Sequence, residues 1–170
     1  MCTRSLSPTD KMQRYTRIRR AEPADAEALL ELIRELAAYQ GKEQIRASAQ
    51  DLSRALSNRW RPYFFALIAE LEAQGHPAGF ALVYPGFSTW EGHVTLRLED
   101  LYVRTEYRGN GIGISLMTEV IEEARRFGAA RIDWQMLASN AAAIGFYERL
   151  GAKLQPEWTM MSLLCGVGGE

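Results

Sequence analysis

A glycine-rich turn between an apolar strand and an amphipathic helix constrains the fold of this chain more than any other stretch. Residues 104–127 read RTEYRGNGIGISLMTEVIEEARRF, and Gly109, Gly111 and Gly113 stand between a strand that ends at Val103 and the helix. Such a turn presents backbone N–H groups at the positive end of a helix dipole, where phosphate binds readily. Taken alone, a turn of this kind is more often structural than ligand-binding, so the rest of the chain must decide.

The spacing of the glycines separates three kinds of phosphate site. A P-loop needs the sequence GK[ST] after its first glycine, and none follows here. The dinucleotide fingerprint also fails, because Ile114 stands where its third glycine belongs. The pattern R-x-x-G-x-G does match, through Arg108, Gly111 and Gly113. In this pattern the chain resembles the GNAT N-acetyltransferase superfamily, whose corresponding loop binds the pyrophosphate of acetyl-CoA through backbone amides.

Composition limits the classes of protein to which the chain can belong. We expect its 170 residues to form one domain over 16–165, between a disordered leader at 1–15 and a flexible tail at 166–170. A net charge of −1 argues against nucleic acid as a partner, and no apolar run could span a membrane. Cys2 and Cys165 cannot form a disulfide framework, which favours the cytoplasm. His76 and His93 lack the neighbours of a metal site, so we expect no metal.

The pattern along the chain predicts an α/β fold with a central mixed sheet flanked by helices. Predicted strands cover residues 16–21, 63–71, 78–84, 93–103, 131–137 and 157–164, with a loop at Pro85, Gly86 and Ser88. Predicted helices run from Pro23 to about Gly41, over 48–56, after the glycine-rich turn, and over 140–150. The buried stripe of the first helix is predicted to be Leu29, Leu30, Ile33, Leu36 and Ala37. The resulting order, β-α-α-β-β-β-α-β-α-β, is also that of the GNAT fold.

The strand before the turn carries an acidic pair. Alternation predicts two faces, one with Val94, Leu96, Leu98 and Tyr102 and the other with Thr95, Arg97, Glu99, Leu101 and Val103. Glu99 and Asp100 interrupt an apolar end just before the turn. Two interpretations stay open: a surface pair in which Glu99 neutralises Arg97, or a functional site beside the phosphate loop.

A second motif lies at residues 140–152, which read NAAAIGFYERLGA. Asn140 can cap a helix, and Tyr147 by itself is more often a core tyrosine with a satisfied hydroxyl. The pattern N-x-x-x-x-x-F-Y-x-x-x-G-A resembles the second signature of the same superfamily. That resemblance implies that Asn140 contacts the pantetheine arm and that the Tyr147 hydroxyl lies near the thioester sulfur.

Four further segments resemble one branch of the superfamily, the diamine (spermidine/spermine) and thialysine N-acetyltransferases. They are ELAAY at 35–39, WEGH at 90–93, LEDLYV at 98–103 and RGNGIG at 108–113, and the resemblance extends from about Ile18 to Met161. Two positions depart from the branch, because Gln40 and Ser88 stand where it has acidic residues. A polyamine needs several carboxylates along its length, so the departures favour a shorter amine or an amino acid.

The resemblance also assigns roles to individual residues. It assigns acetyl-CoA binding to Leu101, Tyr102, Val103, Arg108, Gly109, Asn110, Gly111, Ile112, Gly113, Ile114 and Asn140. It assigns acceptor binding to Tyr39, Trp90, Glu99 and Asp100, and catalysis to Glu99 and Tyr147. It implies a homodimer as well.

Proton chemistry sets the demands on the two catalytic residues. A primary amine with a pKa of about 10.4 costs roughly 4–5 kcal/mol to deprotonate at pH 7. An unperturbed glutamate is a weak base for this, so Glu99 needs desolvation or acts through ordered water while it orients the ammonium. Tyr147 then protonates the departing thiolate, at a cost of about 2 kcal/mol for an ordinary phenol. Neither cysteine lies in a motif for an acetyl-enzyme, so direct transfer is expected.

The sequence therefore predicts an enzyme that moves an acetyl group from acetyl-CoA to a primary amine of a small molecule. The expected acceptors are a diamine or polyamine, thialysine or a related amino acid. Two alternatives remain: a protein or antibiotic N-acetyltransferase on the same fold, and an acyl-CoA sensor without activity. The presence of both Glu99 and Tyr147 argues against the sensor.

Overall fold

One five-stranded mixed sheet organises the structure, a computed structural model that describes residues 16–42, 44–57, 63–71 and 75–163. The strands lie in chain order across the sheet and are β1 (Thr16–Arg20), β2 (Phe65–Leu71), β3 (His76–Ser88), β4 (His93–Val103) and β5 (Arg131–Trp134). The first four pair antiparallel, and β4 pairs with β5 in parallel. The predicted mixed sheet is confirmed.

The helices of the described residues begin at polar caps or at the glycine-rich turn. They are α1 (Ala26–Tyr39), which follows a 3-10 turn at Pro23–Asp25, α2 (Ala49–Ser57), α3 (Ile112–Arg126) and α4 (Ala141–Arg149). Ser48 and Asp51 cap α2 reciprocally: the Asp51 N–H bonds to the Ser48 hydroxyl at 3.2 Å, and the Ser48 N–H bonds to the Asp51 carboxylate at 3.1 Å. The side-chain oxygen of Asn140 accepts the Ala143 N–H at 3.1 Å and caps α4, as predicted.

By compactness the chain divides into two units, Met1–Gln135 and Met136–Glu170. The described part of the first carries the sheet with α1, α2 and α3, and that of the second carries α4. None of the helices in the described ranges combines the length and the apolar character that a membrane crossing requires.

Different helices cover the two faces of the sheet. On one face, α1 and α2 pack over a buried cluster that includes Ala66, Leu82 and Tyr102. Phe65 precedes Ala66 and so points to the other face, where its ring stacks on Phe127, just after α3, with 5.6 Å between centroids. The helix that follows the glycine-rich turn therefore packs on the face opposite α1.

Ion pairs fix both covering helices to the sheet. Arg104, just after β4, bonds to both carboxylate oxygens of Glu35 at 3.1 and 3.2 Å and to Glu31 at 2.8 Å, which ties the strand end to α1. On the other face, the buried carboxylate of Glu123 in α3 bonds to Arg20 of β1 and to Arg126. These contacts tie the end of β4 to α1 and the C-terminal end of α3 to β1.

A β-bulge interrupts β4 at Glu99. Leu98 pairs with Val83 and Asp100 pairs with Leu82, so Glu99 is the extra residue on β4. Directly paired residues share a face, and the neighbours Leu82 and Val83 point to opposite faces. Leu98 and Asp100 therefore also point to opposite faces.

The bulge makes the predicted faces of this strand wrong, because the prediction assumed unbroken alternation. Tyr102 shares a face with Thr95 and Arg97 instead of with Val94, Leu96 and Leu98, and Leu101 and Val103 lie with the latter group. The bulge also marks the end of the pairing with β5, since Trp134 opposite Leu98 is the last paired residue. The strand predicted to reach residue 137 therefore ends at Trp134.

Two other strand predictions need correction. β3 runs to Ser88 through the predicted loop at Pro85, Gly86 and Ser88, because these residues pair with β4, Gly86 opposite Thr95. The last predicted strand, at 157–164, is not formed over its described part, residues 157–163. There the Trp158 N–H bonds locally to the carbonyl of Gln155, so the segment starts from a turn rather than from an inter-strand ladder.

The predicted buried stripe of α1 is partly wrong. Leu29, Leu30 and Leu36 are buried as expected, but Ile33 and Ala37 are only half-buried and Leu32 is fully buried. The apolar arc is therefore rotated by about one residue, because α1 also packs against α2 and not only against the sheet.

Candidate active site

The glycine-rich turn has the backbone that its sequence demands. β4 ends at Val103, a 3-10 turn at Thr105–Tyr107 follows, and α3 begins at Ile112. Gly109 and Gly111 have φ angles of 76° and 80°, in the left-handed region that other residues enter only at a cost. The turn is therefore sharp enough to bring the strand end directly to the helix start.

Side chains of the turn hold it in this shape. The Asn110 amide donates to the carbonyls of Tyr107 and Arg108, both at 3.2 Å. The Arg108 side chain donates from Nε to the Val103 carbonyl at 2.9 Å. Asn110 was predicted to bind acetyl-CoA, and the structure places its side chain as a brace inside the turn.

The outer side of the turn is open. No side chain caps α3 at Gly111, and a Cβ added to Gly109 would meet nothing within 4 Å. The N–H groups in the first turn of a helix have no partners within that helix. An open backbone with uncommitted donors at a helix N-terminus suits a diphosphate, so these residues match the group that the sequence pattern predicts.

Arg108 connects the turn to α1. Its guanidinium lies over the ring of Tyr39, 4.4 Å from the centroid, and 5.5 Å from the ring centroid of Tyr102. Tyr39 was predicted to bind the acceptor, and the structure places it at the end of α1, against Arg108 of the glycine-rich turn. Leu101, Tyr102 and Val103, predicted to bind acetyl-CoA, form the last part of β4 that leads into the loop.

The acidic pair lies at the bulge of β4. Glu99 is exposed, whereas Asp100 is half-buried. Burial, reinforced by the charge of Glu99, raises the pKa of Asp100 to about 6. The pair therefore consists of two carboxylates with different surroundings, and one of them changes charge near neutral pH.

Trp90 lies far from this pair along the sheet. It sits in the turn between β3 and β4 and its side chain is 84% exposed. Six residues separate His93, at the start of β4, from Glu99, which corresponds to about 20 Å of strand. Ser88, one of the two departures from the branch pattern, closes this turn by accepting the Glu91 N–H at 3.2 Å. Within one chain the structure does not bring Trp90 to the acidic pair.

The second unit carries Asn140 and Tyr147. Tyr147 is buried and its ring meets that of Phe146 edge-on, with 5.0 Å between centroids. Burial raises the pKa of Tyr147 to about 12. A phenol of this kind stays protonated throughout the neutral range and so can act only as a proton donor. The side-chain oxygen of Asn140 is committed to the cap of α4, which leaves its amide nitrogen for other contacts.

The sequence reasoning missed two features of the first unit. One is the bulge itself, for which the only signal is a charged pair in an apolar strand. The other is a cavity of about 420 Å³ beside α1 and the residues that follow it, lined by Arg34, Ala37, Ala38, Lys42, Gln44, Ile45 and Arg46. Three cationic side chains among seven lining residues were visible in the sequence, but their proximity was not. Among the described residues, His, Cys, Asp and Glu form no group of three or more that could hold a metal ion.

Comparison with known proteins finds a matching family model and relatives of similar sequence. The model of the Acetyltransferase (GNAT) family matches residues 27–152. A thialysine N-epsilon-acetyltransferase of Bos taurus is 38% identical over 146 residues, which are 82% of this chain and 85% of that protein. An L-ornithine N5-acetyltransferase of Arabidopsis thaliana is 35% identical over 86 residues, 51% of this chain and 38% of that protein.

The fold is shared with solved structures as well. An integron cassette protein from V. cholerae superposes with a TM-score of 0.73 at 26% identity, over 89% of this chain and 94% of that one. The predicted fold and the predicted branch are thus both confirmed. The chain belongs to the GNAT family of acetyltransferases.

Proposed function

We propose that this enzyme moves an acetyl group from acetyl-CoA directly to a primary amine of a small molecule. The observation that carries the proposal is the open glycine-rich turn at the start of α3, which follows the strand that bears Glu99 and Asp100. A diphosphate site at residues 109–114 and a carboxylate pair at Glu99 and Asp100, nine to fifteen residues apart on one strand-turn-helix, give the two binding functions that the reaction needs.

The turn binds the donor in this proposal. Backbone N–H groups of residues 109–114 hold the diphosphate, and the end of β4 and Asn140 contact the rest of the molecule. Bound there, acetyl-CoA supplies the acetyl group as a thioester, already activated for transfer. The Arg108 guanidinium, which lies beside the rings of Tyr39 and Tyr102, adds positive charge next to the loop.

In this proposal, the acidic pair and Tyr147 carry out the proton transfers of the reaction. The ammonium of the acceptor loses a proton to the acidic pair, at the cost given above, and the neutral nitrogen bonds to the acetyl carbon as the carbon–sulfur bond breaks. Tyr147 protonates the sulfur and is restored by the second proton of the nitrogen, through solvent. From a pKa of about 12 to a thiol near 8.5, this donation costs about 5 kcal/mol, so it must be concerted with bond breaking.

The acceptor is a short amine or an amino acid with a side-chain amine. Gln40 and Ser88 remove two acidic positions, and Lys42 and Arg46 add positive charge after α1. A cationic surface repels a polyamine and attracts a carboxylate. The names of two relatives, a thialysine and an ornithine acetyltransferase, support an amino-acid acceptor.

The proposal also covers the oligomeric state of the enzyme and its cellular compartment. We infer a homodimer, supported by the exposed apolar side chains of Trp158, Met160, Met161 and Leu163 in the second unit. The small number of cysteines supports a cytoplasmic enzyme.

A screen of acceptors tests the proposal. Purified protein is mixed with acetyl-CoA and, in separate reactions, ornithine, lysine, thialysine, putrescine, spermidine, an aminoglycoside and a peptide amine, and the release of free thiol is followed. We expect turnover with the amino acids, weaker turnover with putrescine and the weakest with spermidine. Turnover confined to the aminoglycoside or the peptide would contradict the proposed acceptor, and no turnover with any amine would contradict the activity.

A further inference from the structure

The two carboxylates at the bulge are not equivalent. Glu99 is the extra residue of the bulge and is exposed to solvent. Asp100 is half-buried and stands opposite Leu82, whose side chain belongs to the buried cluster under α1 and α2. The bulge turns Asp100 to the face opposite Leu98, so it lies at the border of this apolar cluster rather than over α3.

Asp100 also differs from the other shielded carboxylates of the first unit. Asp25 bonds to Arg19, Glu35 bonds to Arg104, and Glu123 bonds to Arg20. Within the described ranges, by contrast, no hydrogen bond or ion pair is made by the Asp100 side chain, and the charge that acts on it most is the like charge of Glu99. A shielded carboxylate that lacks a cation in the free protein is suited to receive one from a ligand.

We propose that Asp100, and not Glu99, accepts the proton that the acceptor ammonium loses before acetyl transfer. This inference rests on the proposed function, because it names the base of that reaction. The N–H bond of the ammonium breaks, its proton passes to the Asp100 carboxylate to form a carboxylic acid, and the electron pair stays on the nitrogen. Asp100 then returns the proton to solvent. Glu99, which is exposed to solvent, orients the ammonium by its charge.

The base strength of Asp100 supports this assignment. At a pKa of about 6, proton transfer from an amine is about 100-fold more favourable than transfer to a carboxylate near 4. The charge that acts on Asp100 is that of Glu99 on its own strand, and the apolar Leu82 lies opposite it on β3. Arg97 and Tyr102 share its face of β4, and within the described residues neither makes a hydrogen bond or ion pair with it. The α1 carboxylates Glu31 and Glu35 are both bound by Arg104.

The test compares Asp100→Asn with Glu99→Gln, its isosteric counterpart at the next residue. For each variant, kcat and KM are measured from pH 5 to 9 with the best acceptor of the wild-type enzyme. We expect kcat to fall at least 100-fold in Asp100→Asn and less than 10-fold in Glu99→Gln. The acid limb of the wild-type profile, near pH 6, is expected to persist in Glu99→Gln and to disappear in Asp100→Asn. The opposite pattern, with the limb lost in Glu99→Gln and kept in Asp100→Asn, would overturn the inference.

Two further measurements distinguish loss of the base from a structural role of Asp100. Acetyl-CoA affinity, measured by calorimetry, is expected to change less than threefold in Asp100→Asn, because the loop is intact; a larger loss would mean a structural role. Carbon-13 NMR of the wild-type protein is expected to show one aspartate carboxyl titrating near pH 6 whose signal is absent from Asp100→Asn. An Asp100 carboxyl that titrates below 4.5 would contradict the inference. If the wild-type enzyme transfers acetyl groups but Asp100→Asn keeps full activity, only the base is wrong; if the wild type transfers none, the proposed function itself fails.

Discussion

The buried and half-buried carboxylates of this fold are of two kinds: those that pair with an arginine and those that do not. Glu123 has two such arginines and Asp100 has none within the described residues. An arginine converts a shielded carboxylate into a structural contact, whereas a carboxylate without one costs stability when it ionises. At the scale of the residue, the proposed site is therefore where ionisation of a carboxylate lowers the stability of the protein, a cost that functional sites often carry.

Replacing Asp100 by Asn is expected to change how stability depends on pH. The folded pKa, about 6, lies above the ordinary value near 3.9, so the native state binds more protons and wild-type stability falls between about pH 4 and pH 6. Asp100→Asn has no such group. In urea denaturation, the free energy of unfolding of Asp100→Asn relative to wild type should therefore be about 2–3 kcal/mol more favourable at pH 8 than at pH 4. A difference that does not vary with pH would contradict the assigned surroundings of Asp100.

Replacing Tyr147 by Phe tests the proposed acid. Loss of the phenol proton is expected to lower kcat by roughly 100- to 1000-fold, with little change in KM for acetyl-CoA. The wild-type rate should show no limb from Tyr147 below about pH 11, since its pKa is about 12. Tyr63→Phe, at a tyrosine that is 76% exposed, is the control and should keep wild-type kcat. If Tyr147→Phe retains more than half of kcat, another group donates the proton.

The glycine-rich turn and the helix after it act together at the scale of the element. Both ends of α3 are set by glycines in the left-handed region, Gly109 and Gly111 before it and Gly128 after it. One end faces the proposed diphosphate and the other does not, because the helix axis is about 22 Å long. A glycine substitution at either end therefore introduces similar backbone strain, but only a substitution before α3 should also affect donor binding.

Gly109→Ala and Gly128→Ala form a matched pair. Their φ angles are 76° and 64°, and an added Cβ meets nothing within 4 Å at either position. Each change should cost about 1 kcal/mol of stability through backbone strain. Only Gly109→Ala should raise the Kd for acetyl-CoA, by about tenfold or more, as measured by calorimetry. Equal affinities in the two variants would mean that the turn does not bind the donor.

The anchor of α3 gives a second prediction at this scale. Burial tends to raise the pKa of Glu123, but the hydrogen bonds and charges of Arg20 and Arg126 hold it below its usual range. Stability from this contact is therefore present above the unfolded pKa, near 4.3, and lost as the pH falls through the lower folded pKa. Glu123→Gln should cost about 1–3 kcal/mol at pH 7 and progressively less below pH 4.

Glu122 provides the control for that measurement. It pairs with Arg125 on the exposed side of the same helix, and surface pairs of this spacing contribute little. Glu122→Gln should therefore cost less than about 0.5 kcal/mol in urea unfolding. Equal losses at positions 122 and 123 would show that the buried contact does not anchor α3.

At the scale of the whole molecule, the sequence predicts what depends on local chemistry and misses what depends on pairing. The turn at Gly109 and Gly111 and the cap at Asn140 follow from the residues themselves, and both are in place. The bulge at Glu99 could not be predicted, because the residue that pairs with each position is set by the partner strand. For the same reason the sequence wrongly predicts a loop at Pro85, Gly86 and Ser88, and a strand at 157–164 that is not formed over its described part, residues 157–163.

The central claim is that backbone amides of the turn bind the diphosphate of acetyl-CoA. Amide-resolved NMR of the nitrogen-15-labelled protein, titrated with CoA, tests this claim most directly. The account predicts saturable shifts that are largest at the N–H groups of residues 109–114, with Gly128 at the far end of α3 unmoved. No saturable shift, or shifts that leave residues 109–114 unmoved while another surface responds, would contradict it.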